Sequence, residues 1–203
     1  MTPPFPPSGS RFFLLRHGQS EANVQRLIVS GLEAATKSYG LTATGKDQVR
    51  RSVIEARQSG ILPTKLHLVS SPLLRARESA SIASDVLGIT LRIDPRLRER
   101  GFGTLELTSD ENYERVWTAD REDPAHVKWG VESTSSILSR VSELFADLAR
   151  TEPNGTFLLC THGDVASVTL CAAQGVALSR HRDVGSLDNG EIRGVTAGSG
   201  ATI

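Results

Sequence analysis

Short apolar segments alternate with longer amphipathic segments along the chain. The short segments are typical of buried strands, which we predict at 11–16, 65–71, 89–93, 155–160 and 191–196. The longer segments predict helices, from about Ser20 and at 42–60, 72–88, 110–121, 133–150 and 164–175. Strands that alternate with helices are typical of a sheet covered on both faces. The predicted fold is therefore α/β, a three-layer α/β/α sandwich with a mostly parallel central sheet.

The 203 residues of the chain have the size of one domain. Residues 11–197 contain no internal repeat and no linker-like segment, so we predict that they form a single domain. Residues 1–10 are rich in Pro and Ser, lack the apolar core of a signal peptide and are predicted to be a disordered leader. Residues 198–203 are predicted to be a flexible tail.

Charge and cysteine content narrow the classes of partner. The 23 basic and 23 acidic residues balance, so no overall field favours nucleic acid or a membrane as partner. No apolar run approaches the length of a membrane span. Cys160 and Cys171 are too few for a disulfide framework and indicate free, buried thiols in a reducing compartment. The expected location is the cytoplasm, and the oligomeric state stays open.

Polar side chains follow three of the predicted strands where those strands end. Arg16 and His17 follow the first strand, Arg75 lies in the first turn of the helix after the second, and His162 follows the fourth. The carboxyl ends of parallel strands form the edge at which α/β sheets bind ligands. Arg side chains and helix amino ends both bind anions. We therefore predict a phosphate site at this edge.

Two histidines at a phosphate site suggest a covalent phosphoryl transfer. One neutral imidazole can attack phosphorus, and the other can donate a hydrogen bond to the phosphoryl oxygens. A carboxylic acid must protonate the leaving oxygen and later take a proton from water. Glu99, which follows the third predicted strand, is the candidate for this role. The alternative is that Glu99 is only an ion-pair partner of the arginines around it.

Five motifs, in order along the chain, are similar to those of a known family. They are LLRHGQSEAN, SSPLLRARESA, LRERGFGTLE, VESTSSILSRV and LLCTHGDV. On these motifs, residues 11–196 resemble the histidine phosphatase superfamily, in the branch shared with cofactor-dependent phosphoglycerate mutases. Val131 stands where the fourth motif usually has Gly. The acid phosphatase branch has Arg-x-Pro after Arg-His-Gly, whereas this chain continues with Gln-Ser-Glu, so that branch is disfavoured.

The resemblance implies a role for each candidate residue. It implies a catalytic group, with His17 as nucleophile, Glu99 as general acid and then base, and Arg16, Arg75 and His162 as holders of the phosphoryl group. It implies further substrate contacts from Asn23, Ser30, Gly31 and Gly163. The expected partner is a small phosphorylated substrate. No further His or Cys stands at the spacing of metal ligands, so we expect neither a metal ion nor another cofactor.

Three activities are compatible with these residues. The protein is a phosphomonoesterase that acts through phosphohistidine, a mutase that returns the phosphoryl group to another hydroxyl, or a non-catalytic protein that binds a phosphorylated ligand. We expect hydrolysis because of two departures from the mutases that the chain resembles. Phe102 stands where they have a substrate-contacting Tyr. The short segment 104–131 has only the separated Arg115 and Arg121 where they have a paired Arg-Arg.

The remaining charged residues have structural interpretations. Asp164 is either a second acid or a first-turn helix residue. His67 alternates with leucines on a predicted strand and is expected to be structural. His126 and His181 lie in polar stretches and are predicted to be at the surface. The arginines that surround Glu99 are predicted to form a solvated rim: Arg92, Arg96, Arg98 and Arg100.

Overall fold

The computed structural model describes residues 5–198 as a five-stranded sheet with helices on both faces. The strands are β1 (Arg11–Arg16), β2 (His67–Ser70), β3 (Leu91–Ile93), β4 (Thr156–Thr161) and β5 (Ile192–Val195). The helices are α1 (Glu21–Gln25), α2 (Leu32–Ala35), α3 (Ala43–Gln58), α4 (Leu74–Leu87), α5 (Asn112–Glu122), α6 (Thr134–Thr151) and α7 (Gly163–Ala173). The strand order is β3-β2-β4-β1-β5, and only β5 pairs antiparallel, with β1.

Alternate residues of the central strands enter two separate cores. Phe12 and Leu14 of β1 pack with Phe157 of β4 against α6 and α7. Leu15 of β1 and Leu158 of β4 pack on the opposite face, against α3 and α4. This distribution follows from the period of two along a strand, which sends neighbouring side chains to opposite faces. The predicted three-layer sandwich with a mostly parallel sheet is confirmed.

The helices that position the site begin and end at the residues expected for caps. Thr42 and Ser133 precede α3 and α6, and each side chain accepts the backbone N–H three residues later. Gly60, Gly88 and Gly175 follow α3, α4 and α7 with φ of +77°, +67° and +69°, which glycine adopts without strain. The short α2 was not predicted. None of the helices within residues 5–198 combines the length and apolar character needed to cross a membrane.

The register of the parallel strands brings their polar ends together. Arg16 of β1 lies opposite Thr161 of β4, and Ser70 of β2 lies opposite Cys160 of β4. The residues that come next leave the sheet at one edge: His17, Ser71 and His162. The sheet itself therefore assembles the predicted phosphate site.

The structure describes part of the predicted leader and part of the predicted tail. Residues 1–4 of the predicted leader and residues 199–203 of the predicted tail lie outside the described residues. Phe5 packs against the core, with its ring centroid 5.1 Å from that of Phe145 in α6. This aromatic side chain gains apolar contact by covering α6, within the segment predicted to be a disordered leader. The backbone N–H of Gly198 donates to the carbonyl of Ala173 at 2.9 Å.

Candidate active site

His17 is buried directly after β1, and its two ring nitrogens have different partners. Nδ1 lies 2.8 Å from the carbonyl oxygen of Gly18, which can only accept, so Nδ1 holds the proton. Nε2 therefore has the lone pair, and it accepts an N–H from Nε of Arg75 at 3.0 Å. Burial, with the positive charges of Arg75 and Arg16, lowers the pKa of His17 well below its usual value. The imidazole is neutral, and its lone pair lies on Nε2.

The backbone beside His17 is fixed by contacts from three elements. The N–H of Gly18 donates to Oγ of Ser79 in α4 at 3.1 Å. The side-chain amide of Asn189, just before β5, donates to the carbonyl of His17 at 3.1 Å. A Cβ on Gly18 would clash with the carbonyl of Gly45 in α3, so this close approach requires glycine. These contacts hold His17 in one position.

His162 is fully buried at the start of α7, and Ser71 fixes the position of its ring proton. Nε2 of His162 lies 2.8 Å from Oγ of Ser71. That Oγ already accepts the backbone N–H of Leu73 at 3.2 Å, and its own proton can point to Nε2. Burial and the charge of Arg75 lower the pKa of His162 well below its usual value, so the ring is neutral. With the Ser71 hydroxyl as donor to Nε2, the proton of the neutral ring lies on Nδ1.

Three buried donors around His17 have no hydrogen-bond partner within residues 5–198. They are Nε of Arg16, Nη1 of Arg75 and Nδ1 of His162. The ring of His162 lies 5.1 Å from that of His17, centroid to centroid, and Arg75 contacts His17 directly. An unsatisfied buried polar group costs about 1–3 kcal/mol, so three donors at one place are suited to bind an acceptor. An anion with several oxygens would satisfy them all.

Glu99 lies in the same cavity and is buried. Its Oε1 accepts the backbone N–H of Arg100 at 2.9 Å. Burial, and then the nearby carboxylate of Asp164, raise the pKa of Glu99 to about 7, although Arg75 opposes the shift. A carboxyl group with such a pKa is in part protonated near neutrality and can donate its proton.

The arginines around Glu99 have other partners, so the ion-pair alternative for Glu99 is wrong. Arg98 pairs with Glu132 at 2.9 Å, and Arg96 pairs with Asp94 at 2.9 Å. The guanidinium of Arg100 is fully buried rather than part of a solvated rim. It donates to both carboxylate oxygens of Asp120 in α5, at 2.7 and 2.8 Å. A buried guanidinium needs such a bidentate partner, which the sequence pattern did not reveal.

His126 and His181 surround the same carboxylate, which corrects their predicted surface position. Both are buried, with 6% and 1% of their surface exposed. Nε2 of His126 lies 2.9 Å from Oδ1 of Asp120, and Nε2 of His181 lies 3.8 Å from its Oδ2. The two histidines therefore help to close the region where α5 packs beside the site.

The cavity next to His17 has a volume of about 290 Å³. Six of the predicted site residues line it: Arg16, His17, Asn23, Arg75, Glu99 and Gly163. Oδ1 of Asn23 accepts the backbone N–H and the hydroxyl of Ser20 at 3.0 Å each, so its amide group is the end that can donate to a ligand. Gly163 begins α7, whose amino end therefore faces the site.

Ser30 and Gly31 are not among the residues that line this cavity. Their backbone N–H groups and the Ser30 hydroxyl all donate to the carboxylate of Glu106, at 2.5 to 2.7 Å. Three donors on one carboxylate satisfy that carboxylate fully. The structure therefore places the two residues in a loop contact with Glu106, and the substrate contact predicted for them has no support from this geometry.

A sequence model of the histidine phosphatase superfamily, branch 1, matches residues 12–202. This chain belongs to that superfamily. A protein of Enterobacter sp. (strain 638), named "Probable phosphoglycerate mutase GpmB", is 31% identical over 157 residues, which are 74% of this chain and 68% of the relative.

Solved structures share the fold. One is a mycobacterial glucosyl-3-phosphoglycerate phosphatase in complex with VO3, with a TM-score of 0.76, 24% identity and coverage of 91% of this chain and 90% of that one. Another, a protein from Thermus thermophilus, has a TM-score of 0.64, 29% identity and coverage of 91% of this chain and 92% of that one.

This histidine phosphatase superfamily member has a cavity wall that the sequence analysis missed. The rings of Tyr113 and Trp117 in α5 stack with centroids 5.4 Å apart and planes 7° apart. Cζ of Arg182 lies 3.9 Å from the ring centroid of Trp117. Nε1 of Trp117 donates to Asp164 at 3.1 Å, so Asp164 is both a first-turn residue of α7 and part of the wall. Tyr113 and Trp117 are four residues apart, which places both rings on one face of a helix, and this spacing could have been found in the sequence.

The thiols and the remaining histidine agree with their structural interpretations. Cys160 and Cys171 are free and buried. His67 stacks on Phe157, with centroids 5.3 Å apart, away from the cavity. Within residues 5–198, no three His, Cys, Asp or Glu residues are grouped as metal ligands.

Proposed function

We propose that the protein is a phosphomonoesterase that hydrolyses a small phosphorylated substrate through phosphohistidine at His17. The observation that supports this most strongly is the set of three donors, on Arg16, Arg75 and His162, that lie beside the lone pair of His17 and have no partner in the described part of the chain. A phosphoryl group has three outer oxygens that such donors would bind. Superfamily membership and the volume of the cavity agree with this proposal.

The first half-reaction forms a bond between Nε2 of His17 and phosphorus. The N–H of Arg75 that now occupies Nε2 turns to a phosphoryl oxygen when the substrate enters. As the P–N bond forms, the bond from phosphorus to the leaving oxygen breaks, and Glu99 gives its proton to that oxygen. Nδ1 of His17 keeps its proton and donates it to the carbonyl of Gly18, which stabilises the positive charge of the phosphorylated ring.

The second half-reaction returns the enzyme to its starting state. The carboxylate of Glu99 takes a proton from water as the water oxygen attacks phosphorus. The P–N bond breaks, inorganic phosphate leaves, and His17 regains its lone pair. The guanidinium groups of Arg16 and Arg75 neutralise the charge of the phosphoryl group throughout, which is the task that a metal ion performs in other phosphatases. Activity is therefore expected to persist in the presence of a chelator.

The nucleophile is tested by rapid quench with an aryl phosphate labelled with ³²P. We expect acid-labile label on His17, and no label and no turnover in His17→Asn. His67→Asn serves as the matched control, because His67 lies outside the cavity. Label on a serine, or phosphate release by His17→Asn at the normal rate, would contradict the proposal.

A mutase is the second candidate, because relatives such as the Enterobacter protein bear that name. It is tested with 3-phosphoglycerate and 2,3-bisphosphoglycerate, following both free phosphate and 2-phosphoglycerate. We expect phosphate release to exceed isomerisation. Faster isomerisation would favour the mutase. The third candidate, a non-catalytic binding protein, requires that aryl phosphate is bound but not hydrolysed.

A further inference from the structure

The catalytic cavity has two parts that differ in charge. Beside His17, the phosphoryl part contains the guanidinium groups of Arg16 and Arg75. The lining also includes the carboxyl groups of Glu99, Asp110 and Asp164. Glu99 serves the leaving oxygen, and the other two would face the alcohol portion of a substrate, in what we call the alcohol part. Three apolar side chains line this part as well: Ala22, Leu27 and Val29.

Arg182 is the one further cation among the described lining residues, and its guanidinium already has partners. Nη1 donates to Oγ of Ser167 at 3.2 Å and lies 3.6 Å from Oδ1 of Asp164. Its Cζ lies 3.9 Å from the ring centroid of Trp117, and 22% of the side chain is exposed. The positive charge of Arg182 therefore balances Asp164 and adds no net positive charge to the alcohol part.

The arginines of α5 do not supply a cation either. Cζ of Arg115 lies 4.9 Å from the ring centroid of Trp129. Arg121 pairs with Asp183 at 3.3 Å. Neither belongs to the described lining of the cavity. The alcohol part therefore contains the pair of Arg182 and Asp164, whose charges cancel, and one additional carboxylate, Asp110.

Asp110 keeps a negative charge at this part of the cavity. It pairs with Arg26 at 3.0 Å, but the Arg26 side chain is 64% exposed and lies outside the lining. A pair with such an exposed partner is largely screened by water. A ligand in the cavity therefore meets the carboxylate of Asp110 without a matching cation inside.

We propose, resting on the phosphomonoesterase function above, that the substrate is the phosphate ester of an uncharged or cationic alcohol. Esters with a carboxylate or a second phosphate on the alcohol are disfavoured. An anion in the alcohol part would lose its hydration and face the carboxylate of Asp110, and like charges placed together oppose binding. A hydroxyl or an ammonium group can instead donate to Asp110.

Two nearly isosteric ligands test this proposal. Glycerol 3-phosphate and 3-phosphoglycerate differ in a hydroxymethyl group against a carboxylate. Titration calorimetry on His17→Asn, which cannot turn over either compound, gives both dissociation constants. We expect glycerol 3-phosphate to bind about tenfold or more tightly, the range of one uncompensated charge in a partly screened site. Equal affinity, or tighter binding of 3-phosphoglycerate, would overturn the proposal.

A charge-removing variant identifies the cause. In Asp110→Asn on the His17→Asn background, 3-phosphoglycerate should bind more tightly. The ratio of its dissociation constant to that of glycerol 3-phosphate should therefore fall by about threefold or more. Asp85→Asn, on the exposed side of α4, is the matched control and should keep the full preference. An unchanged preference in Asp110→Asn would contradict the role of this residue. Failure of the phosphomonoesterase function is separate, because it appears as absence of aryl phosphate hydrolysis by the unmodified enzyme.

Discussion

Nε2 of His162 and Oγ of Ser71 lie 2.8 Å apart, although 91 residues separate them in the chain. The Ser71 oxygen also accepts the N–H of Leu73, and its hydroxyl proton can be donated to Nε2 of His162. The imidazole then holds its own proton on Nδ1, the atom without a partner among the described residues. Ser71 therefore acts as a positioning residue, which sets what His162 can offer to a phosphoryl group.

Ser71→Ala should lower kcat/KM by about ten- to a hundredfold. This is the loss expected when the hydrogen bond from Nδ1 of His162 to the charged phosphoryl group is weakened. Without the hydroxyl, either ring nitrogen of His162 can hold the proton. Ser71→Thr keeps the hydroxyl and should restore most of the activity. ¹⁵N NMR of the histidine rings should show a single tautomer of His162 in the unmodified protein and a mixture in Ser71→Ala. Ser84→Ala, at the far end of α4, is the control. A single unchanged tautomer in Ser71→Ala would argue against this role.

Glu99→Gln should slow hydrolysis of alkyl phosphates by about a hundred- to ten-thousandfold, the usual range of general acid catalysis. Aryl phosphates should lose much less in the phosphorylation step, because a phenolate leaves without a proton. The measurement is single-turnover phosphorylation of His17 with both substrate types. Equal losses for both would remove Glu99 from the role of acid.

The pH dependence should follow the protonated form of Glu99, whose pKa is raised to about 7 by burial and Asp164. The acid must be protonated, so phosphorylation by alkyl phosphates should fall as pH rises through about 7. Arg75 and Arg16 lower the pKa of Glu99, and both residues are kept unchanged in this experiment. Asp164→Asn removes one negative charge, lowers the pKa of Glu99 and should move the alkaline limb to lower pH.

The matched control for that shift is Asp183→Asn, whose carboxylate pairs with Arg180 and Arg121 away from the cavity lining. In this variant, the rate of phosphorylation by alkyl phosphates should fall at the same pH as in the unmodified enzyme. If Asp164→Asn gives the same limb as Asp183→Asn, the influence of Asp164 on Glu99 is refuted.

Breaking the buried pair between Arg100 and Asp120 should destabilise the protein. Asp120→Asn removes the bidentate charged partner of the fully buried guanidinium and leaves only the longer contact with Asp164 at 3.3 Å. Loss of a buried charged partner costs about 3–5 kcal/mol. Urea unfolding gives the free energy of unfolding. The exposed pair between Lys128 and Glu122 is the comparison, and Lys128→Met should cost less than about 1 kcal/mol. A similarly small cost for Asp120→Asn would show that α5 does not depend on this pair.

Local signals in the sequence determined the fold and most of the site. Buried strands and capped helices show their period within a few residues, which is why β1 and α7 could be predicted. The polar residues after those strands, such as His17 and His162, were found because parallel strands align their carboxyl ends. Glu99 was predicted from its position after the third predicted strand, and Asn23 from the resemblance of the first motif to the family.

Tertiary packing decided what a local pattern does not encode. Arg100 and Asp164 are 64 positions apart, and only the approach of α5, α7 and the loop after β3 buries them together. Ser30 and Gly31 lie some 75 positions from Glu106, whose carboxylate takes the donors predicted for a substrate. The state of a charged or polar side chain depends on its partners and its loss of water, and both depend on residues distant in sequence.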